Sequence, residues 1–303
     1  MSMGEQLPQI DPQTCSGCGL CATACPSGVL TLIDGRIQVQ ESGCIGCGHC
    51  GSVCPTGAAA APAGDGWAER YDVIESRGAV LAPGEFPAGP LVDLLRSRRS
   101  CRCFTEKPVS GAMLEDLLRA AVTAPSGTNS QAWTFTALTS RAAVLGLGQA
   151  VAGFFARLNK LAANTLLRRA YTFIGRPELE NYYREHFASV AAALVDWERD
   201  RTDRLFHGAT AVVIVGSRPG GSCPAEDALL ATGNMLLTAH CLGLGTCLIG
   251  YAVEAMRHDR RVKEAAGVPS GEAVHAVVAL GWPDVTFLRP TSRRRPLVRY
   301  KTA

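Results

Sequence analysis

Apolar and polar positions change their period along this chain. VLTLIDGRIQVQ (29–40) alternates around Asp34-Gly35, which predicts a β-hairpin. From about residue 90 the spacing becomes helical. PLVDLLRSRRS carries apolar residues at 91, 92, 94 and 95 and predicts a short helix ending near Arg96. SGAMLEDLLRAAVTAP predicts a helix with Ser110 as N-cap, with Met113, Leu114, Leu117, Leu118 and Ala121 on one face and Pro125 as its stop. Residues 142–205 read as mostly helix, broken around IGRPE (174–178). HGATAVVIVGS (207–217) and AVHAVVALGWP (273–283) are Val-rich buried strands. PAEDALLATGNMLLTAHCLGLG (224–245) is a helix with Pro224 near its start, Glu226 and Asp227 in its first turn, and Gly243 or Gly245 closing it. Few strands among many helices indicate an α+β layer, not a βαβ repeat.

Composition narrows the function classes. With 47% hydrophobic and 19% charged residues, the 303-residue chain can bury a large core. Its net charge is +3, and the densest basic run, Arg293–Arg295, is too short to argue for nucleic acid. No uninterrupted apolar run of about 18 residues predicts a membrane span. MSMGEQLPQIDPQ has neither the basic nor the apolar region of a secretory signal, so a cytoplasmic chain is expected.

The thirteen cysteines then change the picture. Two runs share the pattern C-x2-C-x2-C-x3-C-P: Cys15, Cys18, Cys21, Cys25 with Pro26, and Cys44, Cys47, Cys50, Cys54 with Pro55. Gly17, Gly19, Gly46 and Gly48 let backbone amides approach the sulfurs, and each proline stops its turn. Zinc also uses CxxC pairs, but seldom in a 2-2-3 rhythm and without need of its repetition. The segment resembles the bacterial two-cluster ferredoxin, in which each 4Fe–4S cluster takes three cysteines from one run and the last from the other. That resemblance implies Cys15, Cys18, Cys21 and Cys54 for cluster I, and Cys44, Cys47, Cys50 and Cys25 for cluster II. TGAAAAPAGDG (56–66) reads as the exit, giving a ferredoxin domain at 1–62, a connector at 63–89 and a second domain at 90–303.

In the second domain RRSCRCF (98–104), APSGTNSQAWTF (124–135), GLGTCLIGY (243–251) and LGWPDVTFLRPTSRRRP (280–296) occur in the order and spacing of nitroreductase-family segments. The domain resembles that family, which implies a central mixed sheet wrapped by helices and a homodimer with FMN at the subunit interface. The chemistry suits a phosphate dianion, which wants guanidinium and hydroxyl donors. Arg98, Arg99, Ser100 and Arg102 supply such donors; by resemblance Arg98 and Ser100 take the phosphate and ribityl chain, and Arg102 approaches the flavin pyrimidine. Arg293 or Arg294 forms a second phosphate clamp. Asn129 bonds the flavin edge, Gln131 follows it, and Pro125, Ser126 and Gly127 reach the FMN of the partner subunit. Leu248, Ile249 and Gly250 lie against the ring and offer amides near N5. No side chain is expected to be catalytic, because flavin N5 carries the chemistry.

Several residues read as structural. Trp133 is expected in the core and His207 and His275 in structural roles; of the five cysteines outside the repeat (101, 103, 223, 241, 247), the Cys101-x-Cys103 pair reads as small buried filler. CLGLGTCLIG (241–250), without a helix start after it, is poor evidence for a dinucleotide fold. The resemblances together imply a reductase in which clusters pass electrons to FMN and FMN reduces a nitro or quinone-like acceptor. The donor is a low-potential ferredoxin-like carrier or NAD(P)H. An electron-transfer or redox-sensing module, or ene reduction, dehalogenation or flavin breakdown on the same fold, remain the other readings.

Overall fold

The computed structural model describes residues 7–61, 64 and 66–302. The boundary expected at 62–63 lies outside the described residues. In the cysteine-rich segment, β1 (Gln9–Ile10) pairs antiparallel with β4 (Ala59–Ala60), tying its two ends together. Two one-turn helices, α1 (Leu20–Thr23) and α2 (His49–Ser52), begin at equivalent places in the two cysteine runs. Between them β2 (Leu30–Ile33) and β3 (Arg36–Val39) form the expected hairpin. Asp34 and Gly35 have φ of 47° and 74°, the left-handed pair that matches a tight turn to strand twist.

The connector is not slack. Asp116 is fully buried and accepts hydrogen bonds from the amides of Asp72 (2.8 Å), Val73 (2.8 Å) and Ile74 (2.9 Å). Arg119 joins it at 3.0 Å and reaches the Asp72 carboxylate at 2.8 Å. Burial alone would raise the Asp116 pKa, but the three amides and Arg119 outweigh it and hold the carboxyl below its ordinary value.

Beyond the connector come α3 (Ala88–Ser97) and α4 (Gly111–Ala121), the latter capped by Ser110, whose Oγ accepts from the Met113 amide at 3.3 Å. Strand β5 (Trp133–Leu138) leads to four helices: α5 (Arg141–Ala163), α6 (Thr165–Phe173), α7 (Glu178–Glu185) and α8 (Phe187–Asp200). The break near 174–178 is present. A second break at Asn164 was missed, although its side chain caps α6 by accepting from Leu166 and Leu167 amides. Then come β6 (Ala211–Ser217), α9 (Pro224–Cys241), β7 (Gly245–Leu248), α10 (Gly250–His258), α11 (Arg260–Ala265) and β8 (Ala273–Gly281). A helix does start at the end of CLGLGTCLIG, at Gly250, contrary to expectation. The segment is nonetheless no dinucleotide fingerprint, because β7 pairs antiparallel with β8.

The sheet runs β5-β6-β8-β7 with every strand pair antiparallel. The one parallel pairing among the described residues is a single bridge, Ser100 to Thr246. Helices cover both faces. Val212 and Ile214 point into one core with Val144, Leu147 and Val151 of α5 and Met256 of α10. Val213 and Val215 point into the other with Leu114 and Leu117 of α4 and Met235 of α9. Helix α5 is long and apolar enough to cross a bilayer by length and composition, and one of its faces is spent on the first core.

Asp116→Ala leaves three amides and Arg119 without their acceptor, and is expected to cost about 3 kcal/mol in denaturant unfolding. Because the folded pKa is depressed, this contribution is present above the ordinary carboxylate range and is lost as pH falls through the folded value. A stability difference between Asp116→Ala and the native chain that persisted unchanged at acid pH would contradict this assignment.

Candidate functional site

The eight cysteines of the repeat line two separate recesses. One gathers Cys15, Cys18, Cys21 and Cys54, closed by Ile10, Ile37 and Ala58. The other gathers Cys25, Cys44, Cys47 and Cys50, closed by Val29, Leu30 and Ala61. Each takes three sulfurs from one run and the fourth from the other. Among the described residues no three His, Cys, Asp or Glu side chains are placed to hold a single metal ion. Four thiols in each recess, divided three and one between the runs, fit the ligand set of a two-cluster ferredoxin.

The backbone favours thiolate in these recesses. Burial works against the Cys25 thiolate, yet the amides of Leu30, Ser27, Val29 and Gly28 outweigh it and lower its pKa. The Ala59 amide and the Thr56 hydroxyl lower Cys54 to about 7. Gly46, at φ 65°, turns its amide to donate to Cys44 Sγ at 3.4 Å. Burial pushes Cys21 and Cys50 up instead.

The arginine-bearing segment lies along β7. Ser100 bridges Thr246, and the Cys101 amide donates to the Thr246 carbonyl at 2.8 Å. Gly245 permits that approach, since a Cβ there would sit 2.8 Å from Cys101 Cβ. Arg98 and Arg99 border a cavity of about 480 Å³ with Gly243–Thr246 and the chain from Pro283 to Pro290. Arg99 donates one nitrogen to the carbonyls of Arg96 and Arg98, while its Nε and Nη2 are buried without a partner. Two orphaned guanidinium donors on a residue that borders this cavity fit an anion such as a phosphate. Burial raises the Cys247 thiol, and Arg102 and Arg98, acting on it from the same side, pull it back.

The tail differs from expectation. Arg293 and Arg294 lie on an exposed stretch outside regular structure, where Arg293 donates to Thr291 at 3.0 Å. The tail arginine that lines the Arg98 cavity is Arg289, which the triple-arginine run had masked.

The loop after α4 sits at the other edge of the sheet, leading into β5. Pro125 is exposed, and Asp227 on α9 anchors the residues after it, accepting from the Gly127 amide (2.9 Å) and Ser130 Oγ (3.2 Å). Ser126 Oγ accepts from the Gln131 amide at 3.1 Å. Thr128, Asn129 and Gln131 adopt left-handed backbone at φ 49°, 54° and 44°, a strained run for non-glycine residues. Asn129 Nδ2 donates to the carbonyls of Ile45 (3.1 Å) and Gly46 (3.0 Å), and its Oδ1 accepts from Gln131 Nε2 (3.0 Å). The amide expected at a flavin edge is thus engaged with the cysteine-rich domain. Asp227, one hundred positions from Gly127, was legible as a helix-start acid but not as the anchor of this loop.

At the end of β7, Leu248 is half exposed while Ile249 is buried in the first core. The Ile249 amide donates to Val277 O at 2.8 Å, so neither its side chain nor its N–H is free for a ring. Gly250 and Tyr251 are the first residues of α10, where helix amides lack intrahelical acceptors, and both are exposed. Tyr251 also borders a cavity of about 280 Å³ with Phe155, Leu194, Trp197 and Phe206.

Of the residues read as structural, Trp133 packs on the second core and His275 bonds Ser217 at 2.8 Å. His207, half-buried at φ 57° with its pKa lowered by burial, borders a recess with Arg102 and Asp203. Cys101 is buried as expected, but Cys103 is exposed and is not filler; of the other three, Cys247 is buried and Cys223 and Cys241 are exposed.

Residues 7–55 match the 4Fe–4S dicluster domain, and residues 95–282 match the Nitroreductase family. The nitrobenzene nitroreductase of Ectopseudomonas oleovorans is 28% identical over 214 residues, covering 65% of this chain and 89% of that protein. The NADH dehydrogenase of Thermus thermophilus is 27% identical over 187 residues, covering 61% and 83%. A solved nitroreductase with bound FMN from Bacteroides fragilis superposes with a TM-score of 0.50 at 22% identity, over 70% of this chain and 98% of that one, and shares the fold. With the family's sequence spread over more than half of its length, the chain belongs to the nitroreductase family of FMN-dependent oxidoreductases, and it carries a 4Fe–4S dicluster domain ahead of the family domain.

Proposed function

We propose that this chain reduces an organic acceptor, a nitro compound or quinone-like molecule, with electrons taken in through its two 4Fe–4S clusters. The observation that carries the reading is the three-plus-one division of the eight cysteines between two recesses, in one chain with the partnerless guanidinium nitrogens of Arg99. When bound, the clusters supply one-electron transfer and FMN supplies two-electron reduction of the acceptor. Two electrons and two protons take a nitro group to nitroso and water, and solvent can supply the protons.

The chain's own residues have distinct tasks in this reading. Arg98, Arg99 and Ser100 bind the phosphate end, and Arg102 places positive charge beside β7, where negative charge on a reduced ring is stabilised. The free amides of Gly250 and Tyr251 are available as donors at the same corner. The aromatic cavity around Phe155, Trp197 and Tyr251 suits a flat apolar acceptor, which favours substrate turnover over a purely redox-sensing module.

A homodimer completes the site. Strands β5 and β7 are opposite edges of the sheet, and the loop at 125–131 enters β5 at the Ser217 end of β6 whereas Ser100 bridges β7 at the Ala211 end, so the two are at least about 14 Å apart, three strand spacings, before the offset along the strands is added. Apolar residues adjoin both halves uncovered: Leu91, Val92 and Leu95 on α3, and Leu229 and Leu230 on α9. A second copy would cover them and bring one chain's loop to the other's strip. The donor is a low-potential carrier of the ferredoxin kind; direct NAD(P)H reduction is the second source, favoured by the likeness to an NADH dehydrogenase. None of the thirteen cysteines is in a disulfide, which fits a reducing cytoplasm.

Cys54→Ala is expected to remove the cluster I signal and Cys25→Ala the cluster II signal in anaerobic electron paramagnetic resonance, each matching loss within the other run's triplet. A Cys54→Ala spectrum that matched Cys47→Ala instead of Cys18→Ala would contradict the crossing. Arg98→Ala with Arg102→Ala is expected to lower bound FMN at least about tenfold on purification, since the charge-assisted phosphate bond of Arg98 alone contributes about 1.5–3 kcal/mol. Cys18→Ala and Cys47→Ala should retain FMN yet lose viologen-driven turnover; full turnover without the clusters would refute the relay.

A further inference from the structure

Among the described residues, the two hydrogen bonds that cross from residues 7–61 to residues 90–302 both leave Asn129 Nδ2, and both end on the loop that carries Cys44 and Cys47. The corresponding loop of the first cysteine run makes no such bond to the second domain among the described residues. Asn129 is held for this contact from behind: Gln131 grips its Oδ1, and buried Asp227 grips the loop on either side of it through Gly127 and Ser130. A continuous chain of bonds runs from Cys44 Sγ through the Gly46 amide and carbonyl to Asn129. The left-handed backbone at 128, 129 and 131 is the kind of strain that persists only where surrounding contacts over-determine it.

The place of this contact in the sheet gives it a consequence. The loop belongs to the β5 edge, whereas Arg98–Arg102 belong to the β7 edge of the same chain. A ferredoxin domain docked on the first edge is therefore far from its own chain's arginine strip and next to whatever the second copy brings. We propose that Asn129 docks the cluster II loop on the β5 edge, so that the ferredoxin domain of one protomer serves the flavin site built on the Arg98–Arg102 strip of a second copy. This rests on the function proposed above. Asn129 is a positioning residue, cluster II is the cluster facing the second domain, and cluster I is left on the outer side for the external donor. Electrons balance, since each transfer moves one electron inward, the donor replaces it, and two transfers match one two-electron reduction.

Mixed dimers decide the question. Cys47→Ala chains and Arg98→Ala/Arg102→Ala chains, each inactive alone, are co-expressed with different affinity tags and the mixed dimer is isolated. Docking across the dimer predicts recovery of about half the wild-type viologen-driven flavin bleaching, because one site regains both parts. A mixed dimer of the native chain with a chain carrying all three substitutions should then be inactive. Delivery within one chain gives the reverse pair of results and overturns the proposal.

Asn129→Asp supplies a readout independent of turnover. It keeps the size of the side chain but sets a carboxylate against two carbonyls. It is expected to shift the midpoint potential of cluster II, identified against Cys47→Ala, while that of cluster I stays put. Asn129→Gly, which suits the left-handed backbone, should slow cluster-to-flavin transfer at least about tenfold if Asn129→Asp fails to fold. An unmoved cluster II, or loss of FMN in place of that shift, overturns the docking role. Absence of FMN from the native chain, or native clusters that do not reduce it, overturns the proposed function as well, and so marks that failure apart.

Discussion

All seven residues of β6 are buried, because helices pack against both faces of the sheet. Buried backbone groups must find partners, and for β6 they are β5 on one side and β8 on the other. That pairing fixes which strands become edges, and the edges carry the chemistry. The arginine segment lies on β7 at one edge; the Pro125–Gln131 loop feeds β5 at the other. The placement of the arginine strip and the loop on opposite edges follows from that order.

Electrostatics at the two kinds of site work in opposite senses. In the cysteine recesses backbone amides stabilise negative sulfur, strongly enough at Cys25 to overcome burial. At the β7 edge, positive groups are gathered before anything negative is present, and two Arg99 nitrogens are buried without an acceptor. A buried donor without a partner is costly, so the chain tolerates it where a ligand completes the set. The neighbouring Arg102 and Arg98 restrain the buried Cys247 thiol.

The two domains are joined twice, by unlike means. Asp116 ties down the connector through three backbone amides, a contact that holds the covalent link in place. Asn129 ties down the loop between Cys44 and Cys47 through two carbonyls, a contact between the folded parts themselves. The first is buried and belongs to stability; the second is part-buried, strained and local.

The helix cap at Ser110 and the break near Gly175 were legible because each is a local conflict or fit between side chain and backbone. The same is true of the Asp34-Gly35 turn. The cysteine rhythm was legible because a cubic cluster demands closely spaced thiolates, whatever surrounds them. The α+β class and the family segments were equally available from the chain. Asn129 read as a flavin ligand, Ile249 as a ring contact and Arg294 as a phosphate clamp because type and position in a motif do not say which way a side chain is spent. Only the tertiary structure turned Asn129 to Ile45 and Gly46, folded Ile249 into the core and offered Arg289 to the cavity. Those outcomes depend on partners some 28 to 190 residues away, where local propensity has no reach and packing of the whole sheet decides.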